Sequence, residues 1–332
     1  MSSLMNNRAI KLIDRVINSL EIDLEGINVL TEVGSATYKY LPVIAAKANA
    51  AKVFAWTRDS DYGSAKDNIE SCRLILDHYE LSDKVEFFVG DLNVDHLKQA
   101  DVITNSGFVR PLDKNKLQYC KEGVAIPLMF EAWELRKEDL DLEYCKRQDI
   151  RVAGTWEKHP SIKVFQHIGP LAIKMAFEAG YEVLDNKILV WSDDEFGEEV
   201  EKAFGSVNAN QVIRSTDPKD LYEMAAELDF VFIAEYREER SYFNEIIDLI
   251  KLKNINDEIG LVHLYGDIDA NYWSKFMHGV IHPAHNGSPK VMTRTLGHIG
   301  LLPIINLQAA GLKVGELMIR KQSSDLLQPI NF

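Results

Sequence analysis

The sequence predicts an α/β protein of two doubly wound parallel-sheet domains, joined by a linker helix and closed by a returning C-terminal helix. Three observations carry this expectation. Short apolar runs of strand length alternate with segments of helical period, which is the pattern of βαβ units. The alternation runs once, is interrupted by one long apolar helix, and then restarts. The length, 332 residues, suits two ordinary domains.

The elements follow in order. Ile10, Ile13, Val16, Ile17 and Leu20 share one helical face at the start. Ile27–Val33 reads as a strand, and Gly34-Ser35-Ala36-Thr37 turns the chain into a helix running through Ala51. Strand Val53–Trp56, helix Ala65–Tyr79, strand Val85–Val89, helix Val94–Gln99 and strand Asp101–Asn105 come next. A short helix Asp113–Cys120 and strands Val124–Leu128 and Ile150–Ala153 complete the first half. The long helix Lys163–Ala179 carries Val164, Ile168, Leu171 and Met175 on one face, with Gly180 as its cap. The second half reads strand Lys187–Trp191, helix Gly197–Phe204, strand Gln211–Arg214, helix Leu221–Leu228, strand Phe230–Ala234, helix Tyr242–Lys251, strand Leu261–Tyr265 and strand Val280–His282. A last helix, Thr295–Ala310, stops at Gly311 with no strand after it, and so returns to the first half. The expected domains are therefore 1–162 with 295–332, and 163–294, with a two-stranded hinge near Ser161 and Lys290.

Composition narrows the function classes. A hydrophobic fraction of 46% is that of a globular protein with a real core. No run reaches the roughly 18 apolar residues of a membrane helix, and the opening MSSLMNNRAI has no apolar stretch of a secretory signal. Cys72, Cys120 and Cys145 are odd in number and far apart, which fits a reducing compartment and no cysteine-based zinc site. A cytoplasmic protein is expected. The net charge of −14 argues against nucleic acid as a partner, which requires a basic patch. It leaves room for a small anionic ligand, because helix N-termini supply local positive potential.

This order of elements resembles the formate/glycerate dehydrogenase superfamily, with two Rossmann-like domains in a layout most similar to S-adenosylhomocysteine hydrolase and alanine dehydrogenase. Thr37–Val53, TYKYLPVIAAKANAAKV, is similar to the first helix and strand of the hydrolase's substrate domain. NKILVWSDDEFGEEVEKAF, from Asn186, stands where that superfamily places its cofactor fingerprint. The signature segments for adenosine and homocysteine do not occur. The resemblance implies NAD or NADP as cofactor, a homodimer, and a substrate held between the halves.

The cofactor loop is degenerate. G-x-G-x-x-G between strand and helix lets backbone N–H groups reach a pyrophosphate. With its last glycine placed on Gly197, the first two fall on Ser192 and Asp194, and Phe196 precedes the one glycine that survives. Two readings stand. Either Asp193, Asp194 and Glu195 cap the helix, or the loop still binds a dinucleotide in altered form. Arg214 could meet a 2′-phosphate, and Asp217 stands where an adenosine-ribose acid would. In the first half, Glu32-Val33-Gly34-Ser35-Ala36-Thr37 is either an ordinary βα turn or, with Asp59 and Gly90-Asp91, the first motif of an S-adenosylmethionine methyltransferase.

Ligands of parallel sheets sit at the carboxyl ends of strands, and the polar residues there are the candidates. Asn105 and Arg110, with Thr104 and Ser106, would bind substrate, Arg110 either as a bidentate anion clamp or held in a surface salt bridge. Glu131 and Trp133, with Glu134, follow the next strand. Glu157 and His159 precede the linker helix where a cleft between the halves is expected, and His159 is either an acid–base group or a helix neighbour. His282, His285 and Asn286 form the densest cluster. The two histidines have a metal-compatible spacing, but no Cys or Asp accompanies them, so no metal is expected. Glu235, Tyr265 and Asp267 end neighbouring strands. The leading expectation is an NAD(P)-dependent oxidoreductase acting on a small anionic metabolite, with Glu157, His159, His282 or His285 moving protons. The alternatives are an S-adenosylmethionine-dependent methyltransferase-like or nucleotide-binding protein using the first half, and a non-catalytic Rossmann-fold subunit that has lost its cofactor.

Overall fold

The computed structural model describes residues 3–237 and 243–330. The chain divides into two compact units, Met1–Phe165 with Gly300–Phe332, and Gln166–Ile299. Both are parallel α/β sheets, as the resemblance implied.

The first unit runs α1 (Ser3–Leu20), β1 (Asn28–Glu32), α2 (Leu41–Lys47), β2 (Lys52–Thr57), α3 (Ala65–His78), β3 (Val85–Val89), α4 (Val94–Gln99), β4 (Val102–Ile103), α5 (Lys114–Leu117), β5 (Ala125–Pro127), α6 (Leu142–Arg147) and β6 (Arg151–Thr155). The second runs α7 (Ile168–Glu178), β7 (Lys187–Trp191), α8 (Glu195–Ser206), β8 (Gln211–Arg214), α9 (Pro218–Met224), β9 (Phe230–Ile233), α10 (Phe243–Ile246), α11 (Leu249–Ile255), β10 (Gly260–His263), α12 (Ala270–Phe276) and β11 (Ile281–His282). The chain returns to the first unit with α13 (Leu301–Arg320) and β12 (Leu327–Pro329).

The first sheet has the order β12-β6-β5-β4-β1-β2-β3, parallel except for β12, which pairs antiparallel to β6. Chain order moves outward from β1 to β3 on one side and from β4 to β6 on the other. The direction therefore switches between β1 and β4. The second sheet has the order β11-β10-β9-β7-β8 and switches between β7 and β9. Such switch points open crevices at the strand carboxyl ends. Leu30, Phe54, Ile103, Ile126 and Val152 build the core on one face of the first sheet; Leu189, Val231, Ile233, Leu261 and Trp273 build the second core.

Several expected elements are corrected. The helix expected from Gly34 to Ala51 is a 3-10 turn, Ala36–Tyr40, followed by the short α2. The expected Lys163–Ala179 helix begins as a 3-10 turn at Phe165 and becomes α-helical at Ile168. The expected start of a helix at Tyr242 lies outside the described residues, and the stretch from Phe243 to Ile255 forms two short helices, the second capped by Asp248. The last helix does not stop at Gly311. A Cβ there would lie 2.4 Å from Met129 Sδ, and one at Gly315 would lie 2.8 Å from Val102 Cγ1. Both glycines serve close packing on the strands, and the helix runs on to Arg320, where Lys321 takes the left-handed cap. A strand, β12, does follow it, and α6 and α12 complete the set that sequence pattern overlooked.

α13 is also the one described helix long and apolar enough to cross a membrane by length and composition. It is 72% buried within the fold, against α1, α2 and β4–β6, as a core helix is. Buried Glu316 accepts from Asp23 N at 3.0 Å and pairs with Lys313, tying the helix to the loop before β1.

Gly154 in β6 permits the turn after β5 to lie on the sheet: a Cβ there would stand 2.5 Å from Ala132 N and 2.9 Å from Ala132 Cα. Gly154→Ala is expected to lower the unfolding free energy by about 1–3 kcal/mol, the usual scale of overpacking against an unyielding neighbour. Urea unfolding with an unchanged m-value would check it.

Candidate functional site

The switch point of the first sheet holds a cavity of about 110 Å³. Its polar wall comes from strand ends. Glu32 closes β1, and Asn105 and Ser106 follow β4. Its apolar wall includes Met129 and Phe130 after β5, and Ile304 and Leu307 on α13. Gln308 of α13 joins the polar side.

Each polar group is fixed from below. Asn105 N donates to Pro127 O at 3.0 Å, which holds the strand end. The Ser106, Thr104 and Thr31 hydroxyls form a chain with spacings of 3.0 and 2.8 Å. Glu32 is 5% exposed, and its Oε2 accepts from Phe108 N at 2.5 Å. Burial raises the Glu32 carboxyl above the ordinary range; the Phe108 and Gly107 N–H groups and the Arg110 and Arg58 charges offset part of that rise. The Asn105 side chain has no exposure, and neither its Oδ1 nor its Nδ2 has a partner. Gln308 Oε1 is buried without a partner as well. An unsatisfied buried polar group costs about 1–3 kcal/mol, so such groups grouped on one cavity point to a ligand.

Arg110 lines the same cavity but is not a free anion clamp. Its Nη1 donates to Asp139 Oδ2 at 3.1 Å, and its guanidinium lies 5.5 Å over the Phe130 ring. Asp139 also receives Arg136 Nε and Nη2, each at 3.0 Å.

Beyond β5 and β6 lie three carboxyls. Glu131 Oε1 accepts from Glu157 N at 3.0 Å, and Glu134 Oε1 accepts from Glu131 N at 3.1 Å. Trp133, 46% exposed, donates its indole N–H to Glu131. Burial, with repulsion from Glu131 against the pull of Arg110, pushes the Glu134 carboxyl up to about 7. Burial and the neighbouring Glu134 and Glu131 hold Glu157 well above the ordinary range. His159 is tied into the fold instead: Nε2 is 3.1 Å from Asp325 Oδ1, and Nδ1 accepts from Ser161 N at 3.2 Å.

The second switch point, between β7 and β9, is filled from within. Asp194 is the N-cap of α8, with Oδ1 accepting from Phe196 N at 2.9 Å and Gly197 N at 3.3 Å. Its Oδ2 accepts from Tyr236 N at 2.7 Å, and Ser192 Oγ donates to Oδ1 at 2.9 Å. Buried Glu235 accepts from Asp193 N and Arg237 N at 3.0 and 2.9 Å, and Arg237 also pairs with Asp193. A Cβ on Gly197 would stand 2.4 Å from Ser192 Oγ. Phe196, Tyr236 and Tyr265 form one cluster of mutually contacting rings. The dinucleotide implied by the fold does not fit here: the N–H groups that would hold a pyrophosphate already hold a carboxylate, and the surroundings are acidic. Arg214 Nε donates to Glu201 at 2.9 Å, and Asp217 caps α9 through Lys219 N at 2.9 Å.

The remaining second-unit candidates serve the loop around β11. Asn286 Oδ1 accepts from Ala270 N at 3.0 Å, beside the cap of α12. His285 Nδ1 lies 3.0 Å from Asn286 O, and its Nε2 lies 3.3 Å from Arg294 Nη1. His282 Nε2 is 3.5 Å from Glu178 Oε2, which His298 Nε2 approaches at 2.9 Å. Among the described residues, no three His, Cys, Asp or Glu side chains form a metal-ligating group. The three cysteines are free, and burial pushes Cys72 and Cys145 up to about 12, where the nucleophilic thiolate is scarce at neutral pH.

The structure therefore brings Asn105 and Arg110 to one cavity and gathers Glu131, Trp133 and Glu157 on the neighbouring strand ends. Glu32 was named in the first βα loop but given no role of its own, and Gln308 was not among the sequence candidates. Gln308 interrupts the apolar face of α13, but no local pattern links it to residues 200 positions earlier.

Two measurements follow. Asp194→Ala is expected to cost about 1–2 kcal/mol, the scale of a lost N-cap, as read by thermal or urea unfolding. The Glu134 carboxyl, raised in the fold from 4.5 to about 7, stabilises fully below 4.5 and loses that contribution as pH rises through 7. Glu134→Gln is expected to flatten the fall in unfolding free energy over that window.

No known family profile matches the sequence, and no characterised protein sequence does either. Solved structures do. The dipicolinate synthase A chain of Bacillus subtilis is 13% identical, with 91% of this chain and 99% of that chain covered and a TM-score of 0.57. The pyruvate reductase of Chlamydomonas reinhardtii is 10% identical, with coverages of 92% and 99% and a TM-score of 0.56. A D-isomer specific 2-hydroxyacid dehydrogenase family protein from Klebsiella pneumoniae is 9% identical, with coverages of 92% and 98% and a TM-score of 0.51. At these identities the likeness is one of architecture: the chain shares the two-domain α/β fold of these solved structures.

Proposed function

We propose that this protein binds a small polar metabolite in its first unit, on a dehydrogenase-type fold whose second unit has given up the dinucleotide. One observation carries the reading. Asn105, wholly buried at the sheet's switch point, leaves both polar atoms of its side chain unmet on a cavity that Glu32 and Gln308 also line. The cavity's size bounds the ligand. An engineered cavity of about 150 Å³ accepts benzene, so about 110 Å³ takes roughly four or five non-hydrogen atoms. That is too small for an S-adenosyl ligand, which disfavours the methyltransferase-like reading; Asp59, the acid after the second strand in that reading, accepts from Ala65 N at 2.7 Å at the start of α3.

A second reading is an oxidoreductase of nicotinamide type, and the fold shared with solved dehydrogenases favours it. It requires NAD or NADP to displace the Asp194 carboxylate from α8. Glu134, with its carboxyl near neutrality, would then be the best-placed proton donor or acceptor in the first unit.

Calorimetric titration separates the two. The protein is expected to bind neither NAD nor NADP at millimolar concentration, while Asp194→Gly, which frees the helix terminus, gains measurable affinity. Micromolar binding by the unaltered protein would overturn the first reading in favour of the oxidoreductase.

A further inference from the structure

Resting on the reading of the first-unit cavity as a ligand site, we infer that the group recognised there is a primary ammonium carried on a short hydroxylated chain, that is, a small amino alcohol. The argument begins with the hydrogen-bonding inventory. An ammonium has three N–H donors and no acceptor, so its site needs three converging acceptors and a counter-charge. The cavity offers the Glu32 carboxyl, Asn105 Oδ1 and Gln308 Oε1, the last two buried and unpartnered. Asn105 Nδ2 is an unpartnered donor and suits a neutral acceptor such as a hydroxyl.

The charges agree. Among the described residues, Glu32 is the one acid and Arg110 the one cation lining the cavity, and Arg110 is engaged by Asp139 at 3.1 Å and stacked over Phe130. An anion would meet the Glu32 carboxyl, with the lining's cation already held by Asp139. An ammonium would add a direct counter-charge to that carboxyl, whose burial works against its ionised form more than the Phe108 and Gly107 N–H groups and the Arg110 and Arg58 charges offset. Leu41, Met129 and Ile304 would cover the short carbon chain. The size allows four or five non-hydrogen atoms, and ethanolammonium has four.

The test uses three probes that share a hydroxymethyl arm and differ in the charge of the other end: ethanolammonium, glycolamide and glycolate. Each is titrated calorimetrically into the full chain and into Glu32→Gln, Gln308→Leu and Asn105→Ala, with melting curves establishing that each variant is folded. Ethanolammonium is expected to bind at least ten-fold more tightly than the other two. Glu32→Gln should weaken it more than ten-fold while affecting glycolamide little, and Gln308→Leu should weaken it several-fold. Tighter binding of glycolate or glycolamide overturns the ammonium assignment and leaves the metabolite site standing. Binding of ethanolammonium that survives Glu32→Gln and Gln308→Leu also overturns the assignment, because the ion then sits elsewhere. Absence of binding by all three overturns both the assignment and the reading of the cavity.

Discussion

The first unit is organised by how closely α13 lies on its sheet. Gly311 stands against Met129, and Gly315 against Val102, so closely that a Cβ at either position would lie within 3 Å of the neighbouring side chain and displace it. Glu316, one position further on, is held by Asp23 N and Lys313. These contacts fix the helix in rotation as well as in depth. Gln308 lies one turn before Gly311, so the same packing places it at the carboxyl ends of β1 and β4. The cavity is thus a consequence of two missing side chains on a helix that crosses the sheet, and its floor is the strand layer itself.

The two sheets answer the same topological situation in opposite ways. Each reverses strand order once, and each therefore presents a crevice at a pair of strand ends. In the first sheet the crevice is roofed by α13 and leaves an amide unpaired. In the second it is occupied by Asp194 and Glu235, which between them accept from the backbone of Asp193, Phe196, Gly197, Tyr236 and Arg237. A shared architecture does not imply a shared use of it, and the difference is made by a handful of side chains at equivalent places.

Much of the fold was legible because buried parallel strands are short apolar runs. Lys187–Trp191 and Gln211–Arg214 coincide with β7 and β8. What escaped the pattern was decided by tertiary contact. Gly311 looks like a helix stop in sequence and is a contact glycine in space. β12 is three residues long and forms only because β6 offers a free edge. Of the acids Asp193–Glu195, Asp194 is the cap that its place before a helix suggested. Asn105 could be placed at a strand end, but that its amide would be unmet depended on α13, two hundred residues away. For Arg110 the sequence left clamp and salt bridge open, because its partner Asp139 lies 29 residues on, beyond any local pattern.

The capped terminus of α8 also bears on how the two units respond to their surroundings. A domain whose helix end is completed by a ligand is stabilised in proportion to the logarithm of that ligand's concentration. A domain whose helix end is completed by its own carboxylate is not. The α8 terminus of the second unit is thus completed without a metabolite. On the function proposed above, the first unit, with an amide left unpaired in its core, is the part whose folding equilibrium responds to its ligand's concentration.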